Sequence, residues 1–389
     1  MKTQDFVFRL LAHKFNMSYM PVVVTDGVVE LMKDFYSREE AWLLVLMPMM
    51  PASAKTIARL QFKNVEKVDK MLQDMVTRGL LIEFMEEDTQ KFQMAPFIPG
   101  VVEMTLMKGE DTPESRRYAK KMHRLLEDST SRVLDKIDGM GSSFARIIPV
   151  NQGLSHENQT LPYEDVRSII NGAKTFAITH CHCRTQKFLA DEKVCDAPRD
   201  VCMSLDFAAD FLIRAGIGKK VDRKTMLEKL DLAEKHNLVH MSDNSRSGFT
   251  FVCNCCGCCC GILTATTKLG RKAPVINSSL IAEWDSKKCK SCGKCSRVCQ
   301  VNALTQVNKV TVFSEQRCLG CGKCIDTCPE GVLRLVPRAD WKEPEQTYGH
   351  MVADMLARRI RAETLLRVKK LPGQEYIAKM INKRYGQGL

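Results

Sequence analysis

The sequence predicts a multidomain α+β protein with a helical N-terminal region, a cysteine-rich α/β middle domain, a C-terminal domain of two short repeats, and a helical tail. Three observations predict this organisation. The 389 residues exceed the usual length of one domain. Helical periodicity dominates the first hundred residues, which contain no cysteine. Of the 18 cysteines, ten lie in residues 146–275 and eight in residues 280–337.

Changes in composition set the domain boundaries. We place them as follows: N-terminal region 1–100, helical connector 101–145, middle domain 146–275, repeat domain 280–337 (repeats 280–308 and 309–337), and charged tail 343–389. No apolar run approaches the ~20 residues that span a bilayer. The first residues show no long apolar core followed by a small-residue cleavage site, so we expect no export signal. We therefore expect a cytoplasmic protein.

The N-terminal region shows signals for three helices and a hairpin. In SREEAWLLVLM, Ser37 is a predicted N-cap and Glu40 completes a capping box. Ser53 caps a second, short helix. The third helix, in NVEKVDKMLQDMVTRG, has an apolar stripe and ends at Gly79. LLIEFMEEDTQKFQM then predicts a hairpin with a polar turn.

This order of elements resembles the winged-helix fold, which implies either DNA binding or docking to a protein. The exposed positions of the third helix are of mixed charge: Lys67, Lys70, Asp74 and Arg78. We therefore expect a docking or structural role for the region, with DNA binding as the alternative. The net charge of +12 suits an acidic protein partner and nucleic acid equally well.

The cysteines indicate metal binding rather than disulfides. Disulfide frameworks belong mainly to short secreted chains. This chain is long, and its thiols are clustered at close, repeated spacings. Thiolates at such spacings are typical metal ligands.

The repeat domain carries the most specific motif in the chain. Cysteines with the spacing C-x2-C-x2-C-x3-C occur twice in succession, and Pro329 follows the second run while Gln300 follows the first. Two zinc sites are the alternative interpretation, but zinc ribbons join two CxxC pairs across a longer gap. The tandem runs resemble the two-cluster bacterial ferredoxin domain.

The resemblance implies two [4Fe-4S] clusters, and the fourth cysteine of each run binds the other cluster. One cluster would be held by Cys289, Cys292, Cys295 and Cys328. The second would be held by Cys318, Cys321, Cys324 and Cys299. Such a pair implies a one-electron relay.

The middle domain has a second set of cysteines. AKTFAITH predicts a strand that delivers Cys181 and Cys183 on one face. We expect Cys195 in the following loop and Cys202 at the start of the next helix. These four thiols would make one metal site. Arg184, His180 and His182 would tune its properties through contacts with the ligands. Buried structural cysteine is the alternative.

The stretch CNCCGCCCG contains six further thiols, and three interpretations stay open. It shares a cluster with the first four cysteines, it completes a second cluster, or some of its thiols are free and redox-active. We favour at least one additional Fe–S cluster with thiolates from both stretches. The predicted metal ligands of the middle domain are Cys181, Cys183, Cys195, Cys202, Cys253, Cys255 and Cys256, and Cys258, Cys259 and Cys260 have no assigned role.

Most of the chain, from the winged-helix-like start through RIIPVNQGL, CHCR and CNCC to the tandem motifs, resembles uncharacterised 4Fe-4S dicluster domain proteins of anaerobic bacteria and archaea. This resemblance implies no substrate. Dinucleotide and P-loop fingerprints are absent from the sequence, and we assign no catalytic residue. We expect an electron-transfer protein, or the electron-transfer subunit of an oxidoreductase complex, that works with a redox protein partner. The alternatives are a redox-sensing DNA-binding regulator and an enzyme whose substrate binds at an open iron.

Overall fold

The computed structural model describes residues 5–20, 22–138, 143–150, 161–268, 270 and 275–368. Within these ranges, the helices are either too short or too polar to span a lipid bilayer. The described chain is mixed helix and sheet, as predicted, and its parts pack closely against one another.

The N-terminal region begins with two helices that the sequence analysis left out. Its elements are α1 (Phe6–Phe15), α2 (Asp26–Phe35), α3 (Arg38–Leu46), α4 (Ala54–Leu60), α5 (Val65–Thr77), and the antiparallel strands β1 (Ile82–Glu86) and β2 (Thr89–Gln93). The capping box of α3 is present, since Ser37 accepts a hydrogen bond from the Glu40 amide and Glu40 accepts one from the Ser37 amide. The predicted order of helices and hairpin is found at α3 to β2, and the winged-helix assignment stays a prediction.

A short helix, α6 (Val102–Met104), and a long helix, α7 (Pro113–Asp138), follow the hairpin. The predicted connector is therefore mostly one helix, and it packs on both sides. Tyr118 donates a hydrogen bond to the Asp34 carbonyl on α2 at 3.0 Å. The Ala119 carbonyl accepts one from Gln186 of the middle domain, also at 3.0 Å. One apolar core runs from the N-terminal helices to Leu189 and Phe211 of the middle domain.

The middle domain is built on a six-stranded sheet with the order β3-β7-β8-β5-β4-β6. Its elements are β3 (Ala145–Ile148), α8 (Val166–Gly172), β4 (Phe176–Thr179), α9 (His182–Leu189), β5 (Cys202–Leu205), α10 (Asp206–Arg214), β6 (Lys219–Lys220), α11 (Arg223–Lys235), β7 (Val239–Asp243), β8 (Phe251–Cys255) and α12 (Thr264–Thr267). Every strand pair of this sheet is antiparallel. The α/β assignment was therefore wrong, because α/β sheets are mainly parallel.

The repeat domain contains a two-stranded sheet and a hairpin. Its elements are β9 (Leu280–Trp284), α13 (Lys294–Val298), β10 (Leu304–Val307), β11 (Val310–Phe313) and β12 (Leu333–Pro337). The first strand pairs with the last, so the two repeats close on each other.

The tail begins with α14 (Tyr348–Val368). It docks on the N-terminal region, where Met351 and Met355 pack against Met20. The Arg359 guanidinium donates to the backbone carbonyls of Asn16 and Ser18. The two ends of the described chain are thus held together.

Candidate metal centres

Two cavities in the repeat domain each gather one of the predicted cysteine quartets. One cavity is lined by Cys289, Cys292, Cys295 and Cys328, beside Trp284. The second is lined by Cys299, Cys318, Cys321 and Cys324. The donor set of four thiols in each cavity fits a [4Fe-4S] cluster.

Backbone amides point at these sulfurs. Ala303 N–H donates to Cys299 Sγ at 3.1 Å, and Ser291 N–H donates to Cys289 Sγ at 3.4 Å. Such bonds stabilise the negative charge of a thiolate and tune the potential of a bound cluster. The two cavities differ in access to solvent, because Cys292 is exposed while Cys318 is buried.

The ten thiols of the middle domain form two groups. The four-thiol group consists of Cys195, Cys256, Cys258 and Cys259, whose sulfurs all lie within 4.8 Å of one another. The six-thiol group consists of Cys181, Cys183, Cys202, Cys253, Cys255 and Cys260, joined by hydrogen bonds between neighbouring thiols. The predicted site of Cys181, Cys183, Cys195 and Cys202 is therefore divided, because Cys195 belongs to the other group.

Local structure explains this division. Cys181 occupies the N-cap position of α9 and Cys183 lies in its first turn, so neither is on the strand that was predicted to carry them. Cys202 opens strand β5 instead of a helix, and its thiol contacts that of Cys253 on the neighbouring strand β8. Cys195 lies in the long loop between α9 and β5.

Two thiols of the six-thiol group accept hydrogen bonds from neighbouring thiols, and these bonds lower their pKa. Hydrogen bonds from Cys202 and then Cys255 lower the pKa of Cys253 well below its ordinary value. Hydrogen bonds from Cys183 and then Cys255 lower the pKa of Cys260 in the same way. A set of closely spaced thiols with thiolate character is suited to binding iron.

Arg184 lies between the two groups. Its side chain is 1% exposed and donates two hydrogen bonds to the Asn254 carbonyl, at 3.1 and 2.8 Å. Burial alone would lower its pKa, but Cys181 of one group and Cys256 of the other raise it above the ordinary value. Its Nε has no hydrogen-bond partner among the described residues. Arg184 thus places a buried positive charge against both sets of thiols.

The two histidines beside the thiols have different surroundings. His182 is buried, and burial lowers its pKa to about 4, so it is neutral at pH 7. The ring of His180 packs directly over Gly109, where a Cβ atom would lie 2.4 Å from the ring. We find that Arg184, rather than a histidine, carries charge at this site.

The middle thiols and the second repeat-domain cavity share one apolar core. Cys255 and Cys260 pack in the same cluster as Cys318, and Cys299 and Cys321 lie at its edge. The Lys323 ammonium, 3.4 Å from His240 Nε2, adds a buried polar contact across this boundary. This link was not predicted from local sequence, because Lys323 and His240 are 83 positions apart.

Comparison with known proteins agrees with the geometry of the repeat domain. Residues 282–339 match the family model described as 4Fe-4S dicluster domain. Searches of curated proteins and of solved structures give no match. The match and the two cysteine-lined cavities identify an iron–sulfur, ferredoxin-type domain in this protein, and this supports a role in electron transfer.

Proposed function

We propose that this protein relays single electrons between a redox protein partner and the six-thiol group, as the electron-transfer subunit of an oxidoreductase complex. When bound, an iron–sulfur cluster supplies one-electron chemistry at a fixed potential. Electrons enter the relay at the repeat domain and end at the middle domain. The relay consists of three clusters, two in the repeat domain and one held by the six-thiol group.

The shared core between the repeat and middle domains carries this proposal. The cavity with Cys299 and Cys321 is packed against Cys255 and Cys260. Val239 of β7 lines this cavity and lies opposite Cys255 in the pairing of β7 with β8. The other cavity, with exposed Cys292, lies nearer the surface.

The surface near Cys292 suits an acidic carrier protein. Lys287, Lys288 and Lys290 are exposed in the loop that leads to it, and of these Lys288 and Lys290 are paired with Asp285 and Glu330. Positive charge around an entrance speeds association with a negatively charged partner. We expect the partner to be an acidic one-electron carrier.

The face of α5 favours docking over DNA binding. Arg78 is paired with Glu40 and Asp74, and Lys67 with Glu39. Leu60 and Phe62, at the turn before α5, are 58% and 99% exposed. Cations held in ion pairs beside exposed apolar side chains resemble a protein interface more than a phosphate-binding face.

Rapid mixing with a reduced viologen, followed by freeze-quench EPR, tests the relay. We expect the repeat-domain clusters to be reduced before the middle cluster. In Cys321→Ser, middle-cluster reduction should slow at least tenfold because the adjacent cluster is lost. Lys220→Gln, on the exposed edge strand β6, is the control and should behave like the wild type. An unchanged rate in Cys321→Ser would refute the relay.

A further inference from the structure

The four-thiol group has a spacing that fits one metal ion. Cys195 and Cys256 have their sulfurs 3.6 Å apart, as do Cys258 and Cys259. All four sulfurs lie within 4.8 Å of one another. Around a single tetrahedral ion, metal–sulfur bonds of about 2.3 Å place the sulfurs about 3.8 Å apart. In a cubane, each thiolate binds a different corner iron and points outward, so the four sulfurs are farther apart.

Disulfide formation explains the spacing less well. Cys258 and Cys259 are adjacent in sequence, and a bridge between adjacent residues is strained because their Cα atoms are too close. The other two cysteines come from different segments, Cys195 from the loop before β5 and Cys256 from the end of β8. Four convergent sulfurs at similar distances are arranged as a ligand set, not as two bridges.

Backbone amides support thiolates in this group. The Ala197 amide donates to the sulfur of Cys195, and the Cys195 amide donates to the sulfur of Cys259. Amide-to-sulfur bonds of this kind hold ligating thiolates in position. Cys256 and Cys259 are buried and Cys258 is exposed, so an ion has a route of entry from the surface.

Nearby cations offset the charge. A divalent ion with four thiolates carries a net charge of about −2. Arg184 interacts with Cys195 and Cys256, and its unpartnered Nε, among the described residues, is available to a sulfur. Lys187 donates to the Cys258 carbonyl at 2.7 Å. Arg184 and Lys187 therefore reduce the free-energy cost of placing the negative metal–thiolate site here.

We propose that Cys195, Cys256, Cys258 and Cys259 bind one tetrahedral metal ion, separate from every iron–sulfur cluster of the protein. All four positions are filled by protein, which is the pattern of a closed, structural zinc site. A single iron bound by the same four thiolates shares this chemistry. The ion fastens the loop before β5 to the turn 256–260, and that turn contacts the repeat domain through Gly257.

Metal analysis of the anaerobically purified full chain tests the proposal. We expect one zinc per chain, with X-ray absorption showing four sulfur neighbours at one distance and no nearby second metal. A single iron with the same shell, and without matching sulfide, would equally support the mononuclear site. Zinc with nitrogen or oxygen neighbours, or no metal lost on changing these cysteines, would overturn it.

Variants separate this site from the clusters. Cys195→Ser and the exposed Cys258→Ser should each lose this one metal while keeping the sulfide and the iron of the clusters. Cys202→Ser, in the six-thiol group, is the matched control and should keep it. Loss of about four irons with sulfide in Cys195→Ser would contradict the proposal, because it would place a cubane here.

Metal binding by the four-thiol group and the proposed electron relay are independent of each other. Metal analysis measures the first, and EPR signals of the repeat-domain clusters measure the second. Cobalt reconstitution gives a second readout if a serine variant folds poorly. In the wild-type chain, one bound cobalt should show the intense sulfur-to-metal absorption of a four-thiolate site, and its absence would count against the proposal.

Discussion

The backbone N–H of Gly257 donates a hydrogen bond to Oε1 of Gln300 at 2.8 Å. This contact joins the cysteine-rich turn of the middle domain to the residue after Cys299 in the repeat domain. A Cβ atom at position 257 would lie 1.7 Å from the Gln300 carbonyl oxygen, so only glycine allows this approach. Gln300 follows the first cysteine run, at the position where the second run has Pro329. Its side-chain amide makes a contact that a proline could not make.

Replacing Gly257 with alanine should push the two domains apart. We expect Gly257→Ala to lower the free energy of unfolding by about 1–3 kcal/mol, as overpacking commonly does. It should also slow reduction of the middle site. Gly261→Ala is the matched control, because a Cβ atom there meets nothing within 4 Å. Equal stability and equal rates in both variants would show that the close approach has no role.

Single cysteine changes in the repeat domain should remove one cluster at a time. The fully loaded chain should contain at least about eight irons, and about twelve if the six-thiol group also holds a cubane. Cys292→Ser and Cys321→Ser should each lower the iron content while the middle site stays intact. Anaerobic iron and sulfide analysis with EPR measures this. Wild-type chain that holds only about eight irons would rule out the third cluster.

Removing the buried charge of Arg184 should make the middle site harder to reduce. Arg184→Met takes away a cation next to the thiols and leaves the Asn254 carbonyl without its donor, at a cost of about 1–3 kcal/mol. A redox titration followed by EPR should show a more negative potential for the middle cluster alone. Lys220→Met removes a charge from the exposed strand β6 and is the control. Equal shifts in both variants would assign the effect to net charge.

Asp243 should make stability depend on pH. Burial raises its pKa to about 7, while an unfolded chain has a value of about 3.9. Because the folded-state pKa is the higher one, protonation of Asp243 stabilises the folded state. This contribution to the free energy of unfolding is fully present below about pH 4 and is lost as the pH rises to about 7. Relative to Asp243→Asn, the wild type should therefore lose on the order of a few kcal/mol between pH 5 and pH 8. Denaturant unfolding at several pH values measures it, and a constant difference would contradict the assignment.

The protein should not bind a defined DNA site. Two of the cations on this face, Lys67 and Arg78, are held in ion pairs with Glu39, Glu40 and Asp74, which reduces the positive charge available to phosphate. Gel-shift assays with the oxidised and the reduced protein should both show only weak, salt-sensitive binding. A redox-dependent shift with a defined site would favour a regulator over an electron carrier.

The two quartets of the repeat domain were predicted from the cysteine spacing and its resemblance to the two-cluster ferredoxin domain, and each quartet lines one cavity. Each takes three cysteines from one run and the fourth from the companion repeat, so it is assembled within about 60 residues. The capping box at Ser37 and Glu40 was predictable for the same reason, since a helix start is decided by neighbouring residues.

Tertiary packing decided how the ten middle thiols are divided. Cys195 and Cys202 are seven positions apart, yet one reaches the four-thiol group and the other the six-thiol group. Their segments meet the CNCCGCCCG stretch only across an antiparallel sheet, and local periodicity contains no information about which strands become neighbours. The contact between Gly257 and Gln300 has the same origin, because it arises only when two separately predicted domains pack into one core.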